Sequence, residues 1–307
     1  MANSGNPWND FWSASAQRGT SAGTAAGEAS GCLPARWAGI EDSQKAVWRS
    51  FASDLPENAK VLDLATGNGM VLRWMEEARP DLTLSGIDLA PTIPPAPAGT
   101  TTQGGVAMES LPFADGSFNA VTSQFGFEYG DVKKVAAEIA RVLVQGGKVG
   151  LIVHRGDGAI LEHNQKRQRE LMWALKEKSV GKKVSAALKG GPLQIDKAAR
   201  IAQKVAEAGS AKFGQSSPAW EIPEAIRRSC LLGRRSGVGS IIETIGMIEG
   251  QAKNELGRIR SLAGACKTAD NREKLVGAFE ANGLSLVSTE ALTEPSGRKL
   301  ADFILFQ

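Results

Sequence analysis

Apolar positions along the chain fall into two regimes. Between residues 59 and 154 they come as short runs broken by glycine and proline, the pattern of buried strands in an α/β sheet. Strands are expected at 60–65, 82–88, 101–105, 119–124 and 148–153. After the first of these, Met70, Val71, Trp74 and Met75 recur at helical spacing and predict a helix over 70–77. From 158 to 279 the period becomes helical, with helices expected at 162–178, 197–208, 222–232, 240–262 and 271–281. Strand character returns at 284–288 and 301–306. Upstream, Ile40, Val47, Trp48, Phe51 and Leu55 form the buried stripe of a helix over 40–55. Trp8, Phe11 and Trp12 are apolar anchors, followed by a Ser/Ala/Gly/Thr-rich stretch over 13–31 that reads as a mobile linker or lid. The run 93–98 holds Pro94, Pro95 and Pro97 and cannot be a regular helix.

The most informative stretch is Val61-Leu62-Asp63-Leu64-Ala65-Thr66-Gly67-Asn68-Gly69. Strand, glycine turn and helix in this order bring a backbone close to a nucleotide-like ligand. Glycine supplies the steric room and the positive φ angles. A dinucleotide-binding fingerprint wants a third glycine where this chain has Leu72. The next expected strand ends at Asp88, close to the offset at which a strand-end carboxylate meets ribose hydroxyls. A carboxylate suits that task because it accepts from two hydroxyls at once.

With these residues the chain resembles the class I S-adenosylmethionine-dependent methyltransferases, in the small-molecule group that carries a Leu-Pro-Phe box. Here the box is Met108-Glu109-Ser110-Leu111-Pro112-Phe113-Ala114-Asp115-Gly116-Ser117-Phe118. The resemblance continues through Ala120-Val121-Thr122-Ser123-Gln124-Phe125 and through Glu138-Ile139-Ala140-Arg141-Val142-Leu143-Val144-Gln145-Gly146-Gly147-Lys148, in family order over about 59–154. It implies an α/β, Rossmann-like fold: a seven-stranded, mostly parallel sheet with helices on both faces, its last strand antiparallel, and a helical insertion between strands five and six. The expected organisation is an N-terminal lid and helix at 1–58, a cofactor-binding core at 59–157 and 282–307, and the insertion at 158–281. The insertion leaves the carboxyl edge of the sheet, where ligands bind. It is expected to wall or cover an acceptor pocket, with dimer contacts as the alternative.

The resemblance also implies S-adenosylmethionine as cofactor and a small-molecule methyl acceptor with an oxygen, nitrogen or carbon nucleophile. Position by position, Asp63 would orient the methionine amino group, and Ala65, Gly67 and Gly69 would form the close-approach loop. Asp88 would hold the ribose hydroxyls beside Leu89, and Ser123 and Gln124 would line the methionine portion near the methyl group. The family usually carries an Asp aimed at the adenine amino group where this chain has Ala107, which leaves Met108, through its backbone, and Glu109 as the candidates there. Asn119 replaces a family Asp that has a structural role.

Methyl transfer needs an acceptor lone pair in line with the methyl–sulfur bond, and proximity supplies much of the catalysis. A base is needed only if the acceptor must lose a proton. His154, one of two histidines, falls at the expected end of the fifth strand beside Arg155. It is the candidate catalytic base or acceptor-binding group, as against a hydrogen-bonded structural histidine. Glu128, Tyr129 and Asp131 follow the fourth strand and are placed to face the acceptor, while His163 reads as a surface residue.

Composition changes the picture in three ways. The chain has 307 residues, 42% of them hydrophobic, enough for one large domain or two. Cys32, Cys230 and Cys266 are odd in number and far apart, fitting neither a disulfide framework nor a zinc site, and no metal is expected. With no signal peptide or membrane-length apolar run visible, a cytoplasmic protein is expected. The net charge of +3 is uneven: residues 1–154 hold 11 Lys and Arg against 16 Asp and Glu, and the remainder is basic. That basic part mixes acids with bases and lacks interleaved aromatics, so solvated helices are favoured over a nucleic-acid partner. A homo-oligomer stays open. Two other functions also stay open: a non-catalytic S-adenosylmethionine-binding partner or sensor, which Ala107 permits, and a macromolecule methyltransferase. Against the latter, Gln124-Phe125-Gly126-Phe127 stands where many amino-group methyltransferases carry an Asn/Asp-Pro-Pro-aromatic tetrapeptide.

Overall fold

A computed structural model describes residues 7–20, 38–294 and 296–307. Their elements are α1 (Pro7–Thr20), α2 (Ala38–Ser53), β1 (Lys60–Leu64), α3 (Met70–Ala78), β2 (Thr83–Asp88), β3 (Thr100–Gly104), β4 (Phe118–Gln124), α4 (Val132–Val142) and β5 (Leu143–His154). There follow α5 (Ala159–Met172), α6 (Val180–Leu188), α7 (Ile195–Phe213), α8 (Pro218–Leu232), α9 (Gly237–Asp270), α10 (Arg272–Glu280), β6 (Leu286–Thr293) and β7 (Lys299–Phe306). The seven strands form one sheet in the order β3-β2-β1-β4-β5-β7-β6. The first five pair in parallel, and β7 runs antiparallel to both β5 and β6. The chain winds outward from β1 to β3, then returns to lay β4 on the other side of β1. The strand order therefore reverses between β1 and β4, and that switch point opens a crevice at their carboxyl ends.

Contact clustering divides the chain into two compact units: residues 1–161 with 261–307, and residues 162–260. In the first, the period-two alternation of buried strands separates two cores on opposite faces of the sheet. Val61 and Leu84 pack with Trp48, Phe51, Trp74 and Met75 of α2 and α3. Leu62 and Leu64 pack with Val135 and Ile139 of α4 and with Leu275 and Phe279 of α10. The second unit is helical. Leu171, Trp173, Val184, Ala198, Ala202, Ile226, Ile241 and Leu256 form its own core. Pro218 opens α8 at a position whose missing N–H costs nothing.

Several elements differ from the sequence expectation. The stretch 13–20 is not linker but the second half of α1, while 21–31 lies outside the described residues. Pro7 at the helix start, Asp10 in the first turn, and Trp8, Phe11 and Trp12 on one face explain why the helix forms. The helix expected at 240–262 runs to Asp270, where Asn271 starts α10 by accepting from the Lys274 N–H at 3.2 Å. That last helix, grouped by pattern with the insertion, packs on the sheet in the first unit. Strand β6 begins later and extends further than 284–288. It is an edge strand, and its backbone pairing with β7 carries it through the polar Ser288, Thr289 and Glu290.

Trp48 ties α2 to the sheet. It is fully buried, meets Phe51 and Phe303 edge-on at 5.9 Å each, and donates its indole N–H to Gln124 Oε1 at 2.7 Å. Trp48→Ala is expected to cost about 3–5 kcal/mol, read as a lower urea midpoint with an unchanged denaturant slope.

Candidate functional site

The turn after β1 is built from left-handed backbone. Ala65, Gly67 and Gly69 have φ of 54°, 53° and 71°. The turn is held on two sides: the Thr66 N–H donates to Ile87 O at 2.8 Å, and the Gly69 N–H donates to Thr66 O at 2.8 Å. The Gly67 N–H donates to Asp88 Oδ2 at 2.9 Å, and the other oxygen of that carboxylate accepts from the Ala90 N–H at 2.8 Å. Asp88 thus clips the end of β2 to the glycine turn. Burial raises its pKa, and the two backbone N–H groups oppose that shift. Leu89, beside it, is 51% exposed, a large apolar side chain facing water at the sheet edge.

Asp63 lies one strand position before the turn and is buried. Its Oδ1 accepts from the Thr122 hydroxyl of β4 at 2.8 Å. Burial pushes this carboxyl up to about 7, with the Thr66 and Thr122 hydroxyls pulling it down and the nearby Asp88 adding to the rise.

The Leu-Pro-Phe segment is held by one ion pair. Arg141 donates to Glu138 through Nε at 2.8 Å, to Phe113 O at 2.7 Å, to Leu111 O at 3.0 Å and to Asp115 at 2.8 Å. Glu138 accepts from the Leu111 N–H at 2.6 Å, and Arg141 foremost holds it below the usual carboxylate range. Phe113 and Phe118 pack edge to face at 4.9 Å beneath the segment. Met108 packs against the sheet core. Glu109 accepts from the Asp131 N–H at 3.0 Å and so ties this segment to the loop after β4. Asn119 takes the structural part expected of it, accepting from the Lys60 N–H at 2.9 Å.

At the end of β4, Ser123 and Gln124 are both held by protein partners. The buried Ser123 hydroxyl donates to Leu64 O and accepts from the Phe127 N–H, both at 3.0 Å. Gln124 reaches α2 through Trp48. Beyond them Phe125 is left-handed at φ 55°, a strained setting for a bulky residue. Gly126 packs so closely on Ala65 that a Cβ there would overlap the alanine methyl. The turns after β1 and β4 therefore form one continuous surface.

His154 and Glu128 come together. His154 Nδ1 lies 2.7 Å from Glu128 Oε1, and the His154 backbone N–H donates to the same oxygen at 2.9 Å. Phe125 lies against the imidazole with ring centroids 4.3 Å apart, and Tyr129 meets it edge-on at 6.0 Å. Helix α1 crosses this edge. Trp8 meets Tyr129 at 5.8 Å, and the Trp12 indole lies against Gly67. Among the described residues no cluster of His, Cys, Asp and Glu could hold a metal, and no helix is long and apolar enough to cross a membrane.

Sequence reasoning missed the Thr122 hydroxyl under Asp63, the Glu128–His154 pairing and the seat of Trp12. None has a local signal, because each joins residues far apart in the chain. The left-handed Phe125 had one faint sign, its place just before a glycine.

The arrangement fits a nucleoside-bearing ligand. The turn leaves no room for a Cβ at Gly67, its peptides lie at a switch point, and a strand-end carboxylate stands beside it. A methyltransferase-domain family profile matches residues 62–151, the span of these features. The demethylmenaquinone methyltransferase of Thermus thermophilus is 36% identical over 113 residues, covering 33% of this chain and 51% of that protein. That of Thermotoga maritima is 35% identical over 114 residues, covering 34% and 49%. The ubiquinone/menaquinone biosynthesis C-methyltransferase UbiE of Citrifermentans bemidjiense is 34% identical over 119 residues, covering 34% and 51%. The chain spans about half the length of the curated relatives it matches. The profile match covers the glycine turn, β4 and most of β5, and the seven-stranded sheet is built around them, so this part of the chain is similar to a methyltransferase domain.

Proposed function

We propose that this chain transfers a methyl group from S-adenosylmethionine to a small-molecule acceptor bearing a planar ring. One observation carries the reading: the left-handed glycine turn clipped by Asp88 lies at the switch point of the sheet, inside the matched segment. When bound, the cofactor supplies a methyl group on a positively charged sulfur. Gly67 and Gly69 would admit it to the backbone, and Asp88 would hold its ribose hydroxyls. Leu89, Met108 and Glu109 would border the adenine, and Asp63 would face the amino-acid end. Ser123 and Gln124 would hold the floor beneath it. The curated relatives are named for demethylmenaquinone and for ubiquinone/menaquinone biosynthesis, which supports a quinone-like ring as acceptor. Phe125, Tyr129 and Trp8 support the same choice, since aromatic faces suit a planar ligand. The free thiols of Cys230 and Cys266 agree with a reducing, cytoplasmic setting.

Calorimetry tests the proposal. The purified protein is expected to bind S-adenosylmethionine and S-adenosylhomocysteine with micromolar affinity. Asp88→Ala should weaken both by more than about tenfold, or about 1.4 kcal/mol. Gly67→Ala should do the same, because its Cβ meets Trp12 and alanine disfavours the positive φ. Absence of binding by folded wild-type protein overturns the reading in favour of a protein that has lost the cofactor.

Asp63 gives a second test. Its pKa is raised on folding, so its contribution to stability is complete below the unfolded value of 3.8 and lost as pH rises through about 7. Over that window the folded state keeps a proton that the unfolded chain has released. Stability of the ligand-free protein should therefore fall with rising pH. Asp63→Asn should flatten that fall, which urea melts across the window would show.

A further inference from the structure

We infer that His154 and Glu128 form a proton-accepting pair for an acceptor that carries a hydroxyl on an aromatic ring; the inference rests on the methyl-transfer reading above. The Glu128 carboxylate is fully enclosed. Its Oε1 takes two bonds from His154, while Oε2 is buried with no hydrogen-bond partner among the described residues. A buried carboxylate so placed calls for a hydrogen-bond donor, since an uncompensated charge in a low dielectric is costly. Arg155, next to His154 in the chain, is held elsewhere: it pairs with Asp157 at 2.8 Å and with Asp302 at 2.6 Å. Two further ionisable groups on this side, Cys266 and Asp270, come from α9. Asp270 accepts from the Gly156 N–H at 3.1 Å. Burial pushes the Cys266 thiol up to about 12, with Glu128 and Asp270 adding to the rise, so it stays neutral. His154 is thus the side-chain hydrogen-bond partner of Glu128 among the described residues.

The ring proton is assigned to Nδ1, which faces the carboxylate. A hydrogen bond from Nδ1–H to Glu128 leaves the Nε2 lone pair free to accept a proton, and the carboxylate then stabilises the imidazolium that forms. The ring lies at the carboxyl end of β5, its side chain 8% exposed, between Phe125 and Tyr129. Phe125 adopts a left-handed backbone to reach that position, a strained conformation for a bulky residue. Gly126, packed on Ala65, joins this aromatic wall to the glycine turn. A base flanked by aromatic faces at the cofactor edge suits a phenol better than an amine, which needs an uncharged lone pair and little help to attack.

The step balances as follows. The hydroxyl proton passes to His154 Nε2. The electron pair of the resulting phenolate, through oxygen or through the ring carbon beside it, bonds to the methyl carbon as the carbon–sulfur pair withdraws to sulfur. In the carbon case the ring proton then moves to oxygen and restores the aromatic hydroxyl. His154 later releases its proton to solvent. His154 is the catalytic residue here, and Glu128 is a positioning residue.

4-Nitrophenol tests the pair, because its ionised form is coloured and needs no turnover. It is added to protein loaded with S-adenosylhomocysteine, about one pH unit below the pKa of the free phenol. The wild type is expected to bind it mainly as phenolate. His154→Gln should bind it as neutral phenol, and Glu128→Gln should lower the bound phenolate-to-phenol ratio by about tenfold. Both variants should keep wild-type affinity for S-adenosylhomocysteine, which reports their fold. Equal phenolate signals in all three proteins, or no binding of 4-nitrophenol to the loaded wild type, overturn the inference. Failure to bind S-adenosylhomocysteine would instead overturn the methyl-transfer reading. Nitrogen-15 spectra of the wild type test the pair without a variant: a proton on His154 Nδ1 is expected, and an Nε2–H tautomer would refute it.

Discussion

The bond from the Gly67 N–H to the Asp88 carboxylate holds the site together. Three left-handed residues in five positions form a turn that has little reason to persist in an isolated peptide. It persists because β1 and β2 are parallel neighbours in register, Leu64 opposite Ile87, so that the end of one strand lies beside the loop leaving the other. Asp88 and the Ile87 carbonyl then capture the two N–H groups that the turn presents. The cores on either face of the sheet hold the register, and the register holds the turn.

The same edge concentrates buried acid. Asp63, Asp88 and Glu128 lie at the ends of β1 and β2 and just beyond β4, all of them enclosed. Among the described residues none is paired with lysine or arginine; each is held by hydroxyls, backbone N–H groups or an imidazole. Arginine is used differently. Arg141 holds the Leu-Pro-Phe segment, and Arg155 holds the loop after β5. Structural strength thus comes from ion pairs beside the crevice, while the crevice keeps carboxylates whose charge is costly to bury. Such a site favours a ligand that brings positive charge, as a sulfonium with an ammonium group does.

Much of the sheet was legible in the residues because buried strands have a composition. The strands at 60–65, 82–88 and 119–124 lie within a residue or so of those observed, whereas the bond between Gly67 and Asp88, 21 residues apart, was not foreseen. Edge elements were less legible. Strand β6 depends on pairing with β7, which apolar patterning does not record. Helix α1 was hidden because its small residues read as linker, although Trp8, Phe11 and Trp12 already marked one face. Ser123 and Gln124 were placed correctly in the chain, yet their side chains bond to Leu64 and Trp48, a matter of rotamer and neighbour.

By itself the sequence determined the order of the strands and the presence of a glycine turn and a strand-end carboxylate. These follow from local steric rules and from short spacings along the chain. Only the tertiary structure decided what His154 meets. Its neighbour Glu128 lies 26 residues away, and the two meet because β4 and β5 are paired in parallel, with Gln124 opposite Ile152. Side-chain chemistry is written in the residues, but proton affinity and partnership depend on distance and burial, which exist only once the sheet has closed.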